Sequence, residues 1–153
     1  MNMFEKITNV LKQQLSQGVG VEKLSQSLTC GILIGCFPLI GFTTGLAALF
    51  GFVFRLNHVV VQTANYLMYP VQILLIPVYI QLSGLIIDIH DLPIRPDLLV
   101  KAFVTNPMFF MQQFGFVALI ALCIWFVSSL VLYFILQQVF QPIITKLYKI
   151  KGG

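Results

Sequence analysis

The chain has 153 residues and a formal net charge of +4; 58% of its residues are hydrophobic and 9% are charged. A soluble domain carries about 25% charged residues, so a water-soluble enzyme is a poor fit, and the length allows one domain. Residues 24–54, 56–87 and 102–145 carry no Asp, Glu, Lys or Arg. Each run is long enough to enter a bilayer core, which takes about 20 apolar helical residues. The bases sit at the ends of these runs, which points to membrane topology and anionic head groups rather than nucleic acid.

Phe4, Ile7, Val10, Leu11 and Leu15 recur at helical spacing, with Lys6, Asn9, Lys12, Gln13 and Gln17 on the other face. This predicts an amphipathic helix over 1–19, lying on a membrane surface or packed on the protein's own end. Residues 20–153 then form a single membrane domain. The apolar run after residue 23 is too long for a secretory signal, so the N-terminus should stay on the mature chain.

Ser27, Gly31 and Gly35 form a small-residue stripe that lets another helix approach closely. Pro38 and Gly41 then break the segment. A second half-helix follows with Gly45 on its own small face. Segment 24–54 therefore reads as a re-entrant helical hairpin, against the alternative of one kinked span. If it spans, the bases divide almost evenly between the two sides; if it re-enters, all but Arg95 and Lys101 share a side, and the positive-inside rule favours that. Re-entrant backbone needs a shielding cavity or a second copy of the chain.

Segment 59–87 is interrupted by Pro70 and Pro77. Asp88 to Pro107 reads as a loop, and residues 115–136 as one clean transmembrane helix. The fold class is thus an all-α integral membrane protein. Cys30, Cys36 and Cys123 lie in apolar stretches without zinc or redox spacing and read as small hydrophobes.

The run G-I-L-I-G-C-F-P-L-I-G-F-T-T-G, followed by R-L-N and Y-P-V-Q, resembles the bacterial membrane-protein family catalogued as domain of unknown function 2062. That family shows a glycine stripe, then P-x-x-G-x-Q-T, R-x-N and N-P-x-T. Gly31, Gly35, Pro38, Gly41, Thr44, Arg55, Asn57 and Pro70 match, over roughly residues 20–84. Thr43 stands in place of Gln, and Tyr69 and Gln72 in place of Asn and Thr. The resemblance implies a bacterial inner-membrane protein, in some relatives joined to glycosyltransferase-like domains, and no established activity.

No catalytic residue, metal site or cofactor is expected. His58 and His90 lie at segment ends without metal-like spacing, and Asp88, His90 and Asp91 read as a solvated loop. No acid falls inside an apolar run, so a carboxylate proton relay has no residue. The ligand-binding candidates are Arg55, Asn57, Thr43, Thr44, Asn65, Tyr69 and Gln72. Arg55 suits a phosphate, which guanidinium grips bidentately, or it sets topology. The others either line a cavity or satisfy backbone groups freed at Pro38 and Pro70. Two readings follow. One is a protein that binds or moves an amphiphilic anionic solute, a lipid or lipid-linked phosphate above all. The other is a membrane scaffold that docks an envelope-biosynthesis enzyme. Expected partners are membrane lipids, a second copy of the chain or such an enzyme.

Overall fold

The computed structural model describes residues 3–86 and 104–152. Among them run α1 (Met3–Ser16), α2 (Val21–Gly35), α3 (Thr43–Val53), α4 (His58–Leu67), α5 (Tyr69–Gly84) and α6 (Pro107–Gly152), with no strand. Most of the expected Asp88–Pro107 loop, with His90, Asp91, Arg95 and Lys101, lies outside the described residues.

α2 stops where Pro38 removes a backbone donor. Gly41 turns the chain at φ +93°, a conformation that glycine adopts without a Cβ penalty. α3 then folds back along α2, and the Lys23 ammonium donates to the Phe54 carbonyl at 3.2 Å. The start of α2 and the end of α3 therefore meet.

α4 starts at Asn57, whose side chain accepts from the Val60 amide at 3.1 Å, an N-cap. α4 and α5 meet at Met68 with a 60° bend. Pro70 lies in the first turn of α5, where a missing amide hydrogen leaves no bond unmade. The break expected at Pro77 does not occur: Pro77 lies inside α5, which continues to Gly84.

The clean helix expected over 115–136 is far longer. α6 runs 46 residues, about 69 Å, because Gln137, Gln138 and Gln141 are good helix formers and Ile144 is anchored in the core. Its stretch Phe114–Lys149 is long and apolar enough to cross a membrane, yet only 6% of its most apolar window is buried. The Ser25 hydroxyl donates to Gln137 Oε1 at 2.9 Å and the Trp125 indole to the Leu33 carbonyl at 2.9 Å. α2 and α6 are therefore antiparallel.

Two clusters hold the helices together. Leu11 and Leu15 of α1 meet Leu24 and Leu28 of α2, Val60 and Ala64 of α4 and Ile144 of α6. Ile34, Ala47, Leu56 and Val61 join α2, α3 and α4. The apolar face of α1 is thus buried on the protein's own end, the second of the two placements open to it.

Candidate functional site

The residues predicted to line a ligand site are used mostly by the backbone around the helix breaks. The Gln72 amide, buried, donates to the Phe37 carbonyl at 2.8 Å and reaches the Leu39 carbonyl at 3.5 Å. Tyr79 donates to the Cys36 carbonyl at 3.1 Å. With the Trp125 bond to Leu33, these side chains satisfy carbonyls left over where α2 ends. Asn57 caps α4, donates to Gln14 Oε1 at 2.6 Å, and has its amide held by the Ser27 hydroxyl at 2.8 Å. Asn65 is buried, and neither atom of its side-chain amide has a partner among the described residues. Thr43 is buried at the start of α3, while Thr44 and Tyr69 are exposed. Gln72 and Asn57, at opposite ends of the α2–α4 pair, serve two different helix ends, so the seven candidates do not form one site.

The packing candidates divide. A Cβ on Gly31 would lie 2.5 Å from the Val61 carbonyl oxygen, and one on Gly35 2.5 Å from the Met68 Cβ. These glycines let α2 and α4 touch. Gly45 faces open space and takes no part in that packing.

Between α2, α3 and α6 lies a cleft of about 510 Å³. Leu33, Ile34, Phe50, Leu56, Trp125 and Leu130 give it apolar walls. Lys23 is the one charged residue lining it among the described residues, accompanied by Gln26 and Tyr133. At its Lys23 end the turn after α3 contributes Phe54 and Leu56 to the lining. There the Leu56 amide bonds to the Gly51 carbonyl at 2.8 Å and the Arg55 amide to Phe52 at 3.3 Å, a Schellman motif. Arg55 occupies the left-handed position of this motif at φ +51°, where glycine is usual. Its side chain is exposed, and it lies in sequence between the lining residues Phe54 and Leu56. Lys23 is thus the charged group at one end of a largely apolar cleft, and Arg55 is the next base in the chain, placed between two of its lining residues.

A family model described as an uncharacterized protein conserved in bacteria, DUF2062, matches residues 5–149. The chain belongs to this family. The DUF2062 match takes in α1 and nearly all of α6 beside the motif region, so every lining residue of the cleft falls within it. No curated protein and no solved structure matches the chain.

Sequence reasoning missed the cleft. Lys23, Gln26, Cys30 and Leu33 follow a helical stripe on α2, but the opposing wall is contributed by residues about a hundred positions away. No local pattern announces such a pairing.

Proposed function

We propose that this DUF2062 protein is a multi-pass protein of the bacterial inner membrane that binds an anionic amphiphile, a lipid or lipid-linked phosphate, in the cleft between α2, α3 and α6. The observation that carries the reading is the cleft's polarity: apolar walls with Lys23 at one end, where Phe54 and Leu56, the chain neighbours of Arg55, also line it. A hydrocarbon chain suits the walls, and a phosphate suits the two bases.

The membrane placement rests on lengths and charges. α2 and α3, with 15 and 11 residues, span about 22 and 16 Å, less than a core of about 30 Å. They fold back to one end and form a re-entrant hairpin shielded by α4 and α6, while α6 and the bent α4–α5 pair cross. This puts Lys6, Lys12, Lys23, Arg55, Lys146 and Lys149 on the cytoplasmic side with both termini. The burial of Leu11 and Leu15 speaks against the scaffold reading, since these two apolar positions of α1 are taken up by the protein's own core.

The binding test is native mass spectrometry of purified protein with phosphatidylglycerol and phosphatidylcholine. Wild type should retain phosphatidylglycerol preferentially, and Lys23→Gln and Arg55→Gln should each weaken that preference. Equal retention by all three proteins would overturn the reading. Topology is tested in a cysteine-free background with single cysteines at Ser16 and Leu92, using an impermeant thiol reagent on spheroplasts. Leu92→Cys should label and Ser16→Cys should not; the reverse pattern would overturn the orientation.

A further inference from the structure

The cleft has a measurable depth. From Lys23 to Ile34 on α2, both lining it, the helix rises about 16 Å. Half of a hydrocarbon core of roughly 30 Å is about the same length. The far end is lined by Trp125, beside Leu33 on α2. The Trp125 indole is held in place by its 2.9 Å bond to the Leu33 carbonyl. Its ring stands edge-on to the buried Phe37 ring, 4.8 Å away at 88°. Both contacts tie it to the end of α2 and the Pro38 turn, so the ring is a wall rather than a loose side chain.

A cleft one leaflet deep, basic at its mouth and lined at its far end by Trp125 does not provide a path across the bilayer. Resting on the binding reading above, we infer that its occupant is an anionic glycerophospholipid from the leaflet facing the termini. One of its acyl chains lies along Leu33, Ile34 and Phe50, with its phosphate at Lys23 and Arg55 and its chain end at Trp125. Trp125 sets the chain length that fits. A polyprenyl phosphate, whose chain is far longer than one leaflet, is the poorer occupant.

Trp125 is the chain's single tryptophan, so it reports on its own surroundings. The protein is reconstituted in phosphatidylcholine vesicles containing a small fraction of brominated lipid, either phosphatidylglycerol or phosphatidylcholine, brominated near the head group or near the chain end. Brominated phosphatidylglycerol should quench Trp125 more than brominated phosphatidylcholine at the same fraction. The excess should be largest for bromine near the chain end and should vanish in Lys23→Gln. An excess that is largest for bromine near the head group would overturn the depth while leaving the binding reading intact. No excess at either position would overturn both. Competition adds a second readout: a long polyprenyl phosphate should fail to displace the phosphatidylglycerol effect, and displacement would overturn the choice of lipid. In native mass spectrometry Trp125→Ala should shift retention towards longer-chain phosphatidylglycerol and Trp125→Phe should not. An unchanged preference in Trp125→Ala would overturn the role of the ring. The quenching series needs only wild type and Lys23→Gln, so it decides the depth even if Trp125→Ala misfolds.

Discussion

On one face of α2, Gly31 and Gly35 bring the backbone against Val61 and Met68 of the α4 side. On another, Cys30, Leu33 and Ile34 look across an open cleft towards Phe50 of α3 and Trp125 of α6. The same 15-residue helix is closed on one side and open on the other. Small residues remove the spacer between backbones, and the gain is dispersion over many short contacts. Where the side chains are large and the opposing helix stands off, space remains. If the cleft binds as proposed, the glycine face carries stability and the cleft carries binding, so substitutions on the two faces should fail in different ways.

The largest effect belongs to the glycine face. Gly31→Ala would put a Cβ 2.5 Å from the Val61 carbonyl oxygen. A backbone atom cannot swing aside, so α4 must move as a whole. The expected cost is about 3 kcal/mol, at the upper end for overpacking, read as lost monodisperse yield and an earlier unfolding transition in detergent. Gly45→Ala is the contrast: it meets nothing within 4 Å and should gain about 0.5–1 kcal/mol from helix propensity. Equal losses at both positions would mean that the close face is not an interface.

The glycine face was legible in the sequence because Ser27, Gly31 and Gly35 repeat at every fourth position, and helix geometry turns that spacing directly into a stripe. The break at Pro38 and Gly41 was legible for the same reason, since φ restriction and a missing donor act locally. Gly45 obeyed the same spacing and packs against nothing, because periodicity gives a face but not a neighbour. Pro77 failed as a break because the helix is anchored on both sides of it, by buried Gln72 before and buried Tyr79 and Ser83 after; a proline alone weakens a helix without deciding its end. The cleft was not legible at all. It depends on how far α6 stands from α3, a distance set by core residues such as Ile144 and Leu24 that lie far apart in the chain.

A smaller effect joins the two faces. Asn57 caps α4, donates from its side chain to Gln14 of α1 and from its backbone amide to the Ser27 hydroxyl of α2. Asn57→Ala removes the first two bonds and keeps the third, which uses the backbone. The loss should be about 1–2 kcal/mol, the range for an N-cap, in the same detergent unfolding assay. Asn57→Asp retains the acceptor for Val60 and loses the donor to Gln14, so it should fall between Ala and wild type. Because Asn57 does not line the cleft, the folded fraction of Asn57→Ala should retain phosphatidylglycerol as wild type does. Loss of retention in that fraction would break the division between a stability face and a binding cleft.

The smallest effect on stability carries the sharpest test of function. Arg55 sits at the left-handed position that closes α3. A side chain there costs roughly 1 kcal/mol through the contact of its Cβ with the following carbonyl, and glycine removes that contact. If packing were all that mattered, glycine would serve better than arginine. Arg55→Gly should therefore raise stability by about 1 kcal/mol in detergent unfolding while lowering phosphatidylglycerol retention, a gain and a loss from one substitution. Arg55→Asn separates the terms further: asparagine tolerates the left-handed region better than most residues, so stability should change little while retention falls as far as with glycine. Arg55→Lys keeps the charge but not the fork and should restore retention only in part. A destabilised Arg55→Gly would show that the turn is not strained. A stabilised one with full retention would place Arg55 outside the binding site and leave Lys23 as the only base at the mouth. The expected combination, more stable and less able to hold an anionic lipid, is the pattern of strain kept at a functional position.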